Sequence, residues 1–130
     1  MISDELKKSI GIHHIVLTVV DAVETEKFYT KIFGKPNAAH AYFAMYTVGP
    51  TLLIFTQKDK KNPVSTKFDP TMIGLEHLAF GLKNLEELQE IEKVLNEGEI
   101  EHSGIHVDKD SGKEKIWLND PSNIRIEFYL

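Results

Sequence analysis

The stretch GIHHIVLTVVD at residues 11–21 returns in altered form as GLEHLAFGLKN at residues 74–84. The offset from 11 to 74 is 63 residues throughout, and it places His14 against His77. Self-similarity at a fixed spacing is typical of a repeated supersecondary unit, and two copies indicate a duplicated module rather than a solenoid. Because each copy keeps a histidine at the same place, the repeat bears on chemistry as well as on fold.

The composition is that of one globular domain, with 130 residues of which 42% are hydrophobic and 27% charged. A net charge of −5 argues against nucleic acid as a partner, because phosphate binding needs a basic face. No apolar run approaches the ~20 residues of a membrane helix, and the polar N-terminus is not a secretory signal. The absence of cysteine excludes disulfides and thiolate metal ligands, and it fits a cytoplasmic protein without a membrane partner.

Each copy predicts the element order β-α-β-β-β. Asp21 and Asn84 are the predicted helix N-caps, with Glu24 at the capping-box position, and Gly34 and Gly98 are the predicted helix ends. The pattern predicts strands at about 12–20, 38–41, 43–48, 51–57, 75–82, 100–105, 113–118 and 124–130.

We therefore expect a single α+β domain over residues 1–130, with modules at about 11–57 and 74–130. The charged, proline-containing segment 58–73 is the predicted linker. Two such modules can cover each other's helix-free sheet faces, and the expected result is a curved mixed sheet around a central cleft.

Three residues on the predicted helix-free faces form a candidate metal site: His14, His77 and Glu127. Two imidazoles and one carboxylate with open positions suit Fe(II), and they also serve Mn(II) or Zn(II). A single histidine on a strand is more often structural than a ligand, and Glu127 has Arg125 or a lysine as alternative partners. Taken together in this architecture, the three residues favour a metal site.

Four motifs cover nearly all of the chain from residue 11 onward. They are His14-Ile-Val-Leu-Thr-Val-Val-Asp, Glu26-Lys-Phe-Tyr with Phe33-Gly34, Glu76-His-Leu-Ala-Phe, and Asp120-Pro-Ser-Asn-Ile-Arg-Ile-Glu127. On these motifs the chain resembles the vicinal oxygen chelate superfamily. That superfamily contains glyoxalase I, fosfomycin resistance proteins, extradiol dioxygenases, methylmalonyl-CoA epimerase and bleomycin resistance proteins. The combination of motifs is specific for the fold, but it does not identify one function, because the superfamily spans many reactions.

The resemblance implies that His14, His77 and Glu127 bind one divalent metal ion, which would be Fe, Mn, Zn or Ni. Relatives with four protein ligands add a carboxylate on the fourth strand, where this chain has about Ile54. Three ligands argue against glyoxalase I activity and resemble the fosfomycin-resistance and extradiol dioxygenase pattern. Those two subfamilies often place a tyrosine ten residues before the glutamate, and this chain has Trp117 there.

The implied function is that of a divalent-metal-dependent enzyme acting on a small oxygen-bearing substrate by lyase, isomerase, dioxygenase or ring-opening transferase chemistry. The resemblance also implies a homodimer. Two alternatives stay open: a non-catalytic small-molecule binding protein of the bleomycin-resistance type, and an interaction module with a vestigial triad. No residue is assigned as the catalytic acid or base, and the candidate substrate-binding residues are Thr18, Tyr46, Trp117, Arg125 and Tyr129.

Overall fold

A computed structural model describes residues 1–57 and 67–130, so that part of the predicted linker, 58–66, lies outside the described residues. The helices are α1 (Asp4–Ser9), α2 (Ala22–Phe33) and α3 (Leu85–Glu97). The strands are β1 (His14–Val19), β2 (Ala38–His40), β3 (Phe43–Val48), β4 (Thr51–Gln57), β5 (His77–Gly81), β6 (His106–Val107), β7 (Glu114–Asn119) and β8 (Arg125–Tyr129). None of the described helices is long and apolar enough to cross a bilayer.

The strands form two four-stranded sheets with the same topology, in the orders β1-β4-β3-β2 and β5-β8-β7-β6. The first and last strands of each module pair in parallel, and the other pairs are antiparallel. The predicted α+β fold of two βαβββ modules is confirmed. The two sheets stay separate, with β1 and β5 each at an edge, and they are not closed around a cleft.

The predicted helix caps are confirmed in both modules. The Asp21 carboxylate accepts hydrogen bonds from the backbone N–H groups of Val23 at 2.9 Å and Glu24 at 3.0 Å, and Asn84 caps α3 in the same way. Each cap satisfies backbone donors that have no partner inside the helix. The capping-box role predicted for Glu24 is wrong, because its carboxylate bonds Lys27 at 2.9 Å instead.

Two local predictions differ from the structure. The predicted strand 100–105 is irregular, because Gly104 adopts a φ of 74° and the Ser103 hydroxyl accepts the Trp117 N–H. The regular strand directly after this segment, β6, has only two residues. Helix α1 was missed, although Ser3 is an N-cap residue and acidic residues precede basic ones over Asp4–Ser9.

The two modules share one core, built from α2, α3 and the helix-side faces of both sheets, to which α1 contributes no buried residue. The Phe33 ring of α2 lies 5.6 Å from the Phe80 ring of β5 and 6.3 Å from the Phe128 ring of β8, centroid to centroid. Helices α2 and α3 also contact each other. A groove of about 420 Å³ separates the edge strands β1 and β5 and is lined mainly by apolar residues such as Ile15 and Leu78.

The turn between β7 and β8 also joins the modules. Asp120 accepts a hydrogen bond from the Tyr29 hydroxyl at 3.0 Å, and the Ser122 hydroxyl accepts one from the Val20 N–H at 2.9 Å. Asn123 closes the turn with a φ of 67°, in the left-handed region that asparagine tolerates better than most residues. The start of β8 is therefore held in place by the first module.

Candidate functional site

The strand register places Ile54 and Glu127 at equivalent points of the two modules. Ile54 pairs with Val16, and Glu127 pairs with Ala79. Val16 and Ala79 are themselves related by the repeat, so the fourth-strand position opposite Glu127 carries an aliphatic side chain. The first module therefore adds no carboxylate at this point.

Each sheet has one face turned away from its helix, and these open faces differ in chemistry. The alternation of buried residues along each strand identifies them. The first open face is the more apolar of the two, and it includes His14, Val16, Thr18, Met45, Thr47, Leu52, Ile54 and Thr56. The second open face is polar, and it includes His77, Ala79, His106, Lys115, Trp117, Asn119, Arg125, Glu127 and Tyr129.

Two of the three candidate metal ligands meet on the second open face. The His77 Nε2 atom lies 3.6 Å from Glu127 Oε2, with the histidine side chain 37% exposed and the glutamate side chain 5% exposed. The other ring nitrogen, Nδ1, lies 3.1 Å from a carboxylate oxygen of Glu76. If Nδ1 donates to Glu76, the free lone pair is on Nε2, the ring nitrogen that lies 3.6 Å from Glu127, as in a metal-ligating histidine.

That tautomer favours a proton or a metal ion between the two side chains. An unprotonated Nε2 and an ionised carboxylate are both acceptors, so they repel each other unless a proton or a metal ion lies between them. Two ligands each roughly 2.1 Å from an ion at tetrahedral angles lie roughly 3.4 Å apart. The 3.6 Å separation of His77 and Glu127 is close to that spacing.

Lys115 on β7 bonds both oxygens of the Glu127 carboxylate. Its Nζ lies 3.2 Å from Glu127 Oε1, 3.4 Å from Glu127 Oε2 and 3.4 Å from Asp108 Oδ2. Burial lowers the pKa of Lys115, but its hydrogen bond and charge contact with Glu127, together with the contacts to Asp108, outweigh this and raise the pKa. The lysine partner that the sequence left open for Glu127 is therefore Lys115.

The charges around Lys115 leave an excess of negative charge. Asp108 and Glu127 face one ammonium group between them. The backbone N–H of Asp110 and the Tyr129 hydroxyl bond the Asp108 carboxylate and lower its pKa, so this group is ionised at neutral pH. The cluster can therefore accommodate one more cationic charge beside Glu127.

His14 is not part of this group within one chain. It is exposed on the first open face, and its Nδ1 lies 2.9 Å from that of His13. In residues 1–57 and 67–130, no three His, Cys, Asp or Glu side chains are placed to hold a metal ion. One chain thus brings together His77 and Glu127 and leaves His14 apart.

Three of the five candidate substrate-binding residues lie on the second open face and one on the first. The Arg125 guanidinium stacks 4.0 Å from the centre of the Trp117 ring, and Tyr129 donates to Asp108 at 2.9 Å and bonds Ser111. Thr18 is exposed on β1.

Tyr46 is a core residue, and the prediction that it binds substrate is wrong. It is 1% exposed, and its hydroxyl donates to the backbone carbonyl of Glu26 at 2.9 Å and bonds Thr30. The alternation along β3 puts Ala44 and Tyr46 on the helix side. Its hydroxyl joins the sheet to α2 instead of facing a ligand.

Sequence reasoning missed Glu76, Asp108 and Lys115 as neighbours of the candidate ligands. Lys115 carries a usable signal, because it lies two residues before Trp117 and alternation puts both on one face of β7. Asp108 carries no such signal in the sequence, because it follows a strand of only two residues and contacts Lys115 only once β6 and β7 pair.

The chain matches known proteins over nearly its whole length. The family model described as the Glyoxalase/Bleomycin resistance protein/Dioxygenase superfamily matches residues 11–128. Among curated protein sequences, none matches the chain.

Solved structures of similar fold come from several bacteria. A putative glyoxalase from Bacillus halodurans is 22% identical with a TM-score of 0.78, covering 95% of this chain and 98% of that one. A glyoxylase/bleomycin resistance protein/dioxygenase domain from Frankia sp. EAN1pec is 24% identical with a TM-score of 0.77, covering 93% and 97%. A lactoylglutathione lyase from Agrobacterium tumefaciens is 20% identical with a TM-score of 0.68, covering 92% of each chain. At these identities the likeness establishes the fold alone.

Proposed function

Because the chain belongs to the glyoxalase/bleomycin resistance protein/dioxygenase superfamily, we propose that it is a divalent-metal-dependent enzyme acting on a small oxygen-bearing substrate. The reaction class is lyase, isomerase, dioxygenase or ring-opening transferase chemistry. One of the similar structures is named a lactoylglutathione lyase, which is an example of such chemistry in a protein of this fold.

The observation that carries the proposal is the His77–Glu127 pair. Its Nε2 and Oε2 atoms lie 3.6 Å apart with a carboxylate, Glu76, bonded to the far side of the imidazole. Metal-ligating histidines typically have such a partner on their second ring nitrogen, because it fixes the ring and increases its basicity. The donor set is one that Fe, Mn, Zn or Ni accepts.

The third ligand in this proposal is His14 of a second protomer in a homodimer. Within one chain the first open face leaves His14 exposed and Val16 49% exposed. If the first open face of one copy lies over the polar second open face of another, the two faces enclose a cleft with an apolar wall and a polar wall. Small-molecule sites combine apolar side chains with a few polar groups.

Each residue of the cluster has a separate task in the proposed site. Glu76 orients His77, and Lys115 holds both oxygens of the Glu127 carboxylate, of which Oε2 lies 3.6 Å from the histidine. The apolar side chains of the first open face exclude water once the cleft is closed. A divalent ion bound by these residues would polarise a substrate oxygen and stabilise negative charge that develops on it.

The second candidate function is a non-catalytic binding protein of the bleomycin-resistance type. It is supported by the ion pair between Lys115 and Glu127, because an ammonium group already balances part of the charge that a metal would balance. In this case the same cleft would hold a small molecule without a metal ion.

Metal binding tests the proposal directly. Purified protein stripped of metal is titrated with Mn(II), Fe(II), Zn(II) and Ni(II) by calorimetry, and elemental analysis gives the metal content of the protein as isolated. We expect one ion per chain. His77→Ala should weaken binding by more than the roughly 10–100-fold that loss of an outer-shell partner costs, because a ligand itself is lost.

His40→Ala is the matched control for that substitution. His40 is exposed on β2, the strand farthest from β1 in its sheet, and stacks on Phe43, so its removal changes the histidine count without removing a proposed ligand. The proposal is overturned if the wild type binds none of the four ions in a defined ratio, or if His77→Ala binds them as tightly as His40→Ala does.

A further inference from the structure

Arg125 lies directly beside the proposed metal ligands. It pairs in register with His77 on β5 and with Asn119 on β7, and it precedes Glu127 by two residues on the same face of β8. Two residues along a strand span roughly 6.6 Å. The backbone of Arg125 therefore lies opposite that of His77 and about this distance along β8 from that of Glu127.

The Arg125 charge has no carboxylate partner in the part of the chain that the structure describes. Lys115, the other cationic side chain on the second open face, contacts Glu127 and Asp108, whereas the ion pairs among the described residues leave Arg125 out. Its guanidinium carbon lies 4.0 Å from the centre of the Trp117 ring. This stacking contact orients the guanidinium plane, but it provides no hydrogen-bond acceptor for the five N–H groups.

A small pocket lies next to this guanidinium. It has a volume of about 170 Å³ and is lined by Pro70, Glu76, Asn119, Asn123 and Arg125. Water occupies about 30 Å³ per molecule, so the pocket has room for a carboxylate group together with solvent. The negative charge of Glu76 repels an anion in this pocket, but one of its carboxylate oxygens lies 3.1 Å from His77 Nδ1 and is hydrogen-bonded to it.

We propose that the Arg125 guanidinium, held flat on Trp117, is an anion-binding subsite that takes a carboxylate of the substrate. A planar guanidinium presents two parallel N–H groups that match a carboxylate in bidentate fashion. The ring contact orients that fork in advance, which reduces the entropy lost on binding. That the bound carboxylate belongs to a substrate rests on the proposed function. The subsite then narrows the substrate class to small carboxylic acids.

Trp117 provides the readout, because it is the only tryptophan of the chain. Metal-free protein is titrated with malonate at constant ionic strength while the tryptophan fluorescence is recorded, and inorganic phosphate is titrated in parallel. We expect a saturable change with malonate, and weaker binding of phosphate. Arg125→Gln should weaken malonate binding at least about 10-fold, since a bidentate charged contact is lost.

Two further variants make the test specific. Lys113→Gln removes one positive charge from an exposed residue just before β7, and it should bind malonate as the wild type does. Arg125→Lys keeps the charge without the planar fork, and it should bind more weakly than the wild type and more tightly than Arg125→Gln. Circular dichroism confirms that each variant is folded.

The inference is overturned if wild-type fluorescence does not saturate, if Arg125→Gln responds like Lys113→Gln, or if phosphate binds more tightly than malonate. Mn(II) calorimetry on the same samples separates this outcome from the proposed function. Metal binding without malonate binding rejects the carboxylate subsite alone. Malonate binding without metal binding keeps the anion subsite and rejects the metalloenzyme.

Discussion

At the scale of single residues, the Tyr29 hydroxyl decides how firmly the two modules are joined. It is fully buried and donates to Asp120 at 3.0 Å. Tyr29→Phe leaves a buried carboxylate oxygen without its donor, which should lower the free energy of unfolding by about 1–3 kcal/mol. Urea denaturation measures the change, and Tyr42→Phe, which alters a 64% exposed side chain, is the control. Equal stability of the two variants would contradict the role assigned to Tyr29.

Asp120 should also make stability depend on pH. Burial raises its pKa, and this outweighs the opposing hydrogen bonds from Ile124, Tyr29 and Ser122. A carboxyl group whose pKa is raised by folding contributes stability below its unfolded pKa of about 3.9, and this contribution is lost as the pH rises through the folded pKa. Asp120→Asn cannot ionise, so its stability relative to the wild type should increase between acidic and neutral pH. Denaturation curves at several pH values test this, and a difference that stays constant or decreases would show the pKa direction to be wrong.

At the scale of the elements, the N-cap of α2 links a local sequence signal to global stability. The Asp21 carboxylate satisfies two backbone N–H groups, and α2 packs against β3, β4 and α3. Asp21→Ala should lower the free energy of unfolding by about 1 kcal/mol. Lys27→Ala removes only the exposed partner of Glu24 on the same helix and should leave stability unchanged. The urea midpoint of each variant measures the change in stability. A larger loss of stability in Lys27→Ala than in Asp21→Ala would contradict the role assigned to the N-cap.

At the scale of the whole molecule, the position of His14 decides whether one chain or two build the proposed site. If His14 of one protomer joins His77 and Glu127 of another, His14→Ala and Glu127→Ala variants damage complementary halves. A heterodimer of the two then contains one intact site and one site that lacks both residues. We expect each variant alone to bind Mn(II) poorly, and a refolded equimolar mixture to recover part of the wild-type binding.

The mixture distinguishes sites shared between chains from sites within a chain. Sedimentation velocity tests whether the wild type and both variants are dimers. A mixture of His14→Ala with His77→Ala gives the same recovery if sites are shared, whereas Glu127→Ala with His77→Ala gives none, because both residues belong to the same half. Failure of the His14→Ala and Glu127→Ala mixture to recover metal binding in a confirmed heterodimer would reject the shared site.

The pattern of residues along the chain predicts the two modules, the caps at Asp21 and Asn84, and the asymmetry between Ile54 and Glu127. These features depend on spacing along the chain: the strand repeat of two, the helix repeat near 3.6 and the position of a capping side chain. The boundaries of most strands follow from the same spacing. Glu24 departs from its predicted capping role because an exposed carboxylate has more than one partner within reach, here Lys27.

The fold, and not the local pattern, specifies which side chains meet. It placed Tyr46 in the core, brought Lys115 to Glu127, stacked Arg125 on Trp117 and left His14 apart from the other two candidate ligands. Contacts of this kind depend on strand pairing and on the packing of one module against the other, which join residues far apart in sequence. Local spacing specifies the face on which a residue lies, whereas the arrangement of the sheets specifies its neighbours.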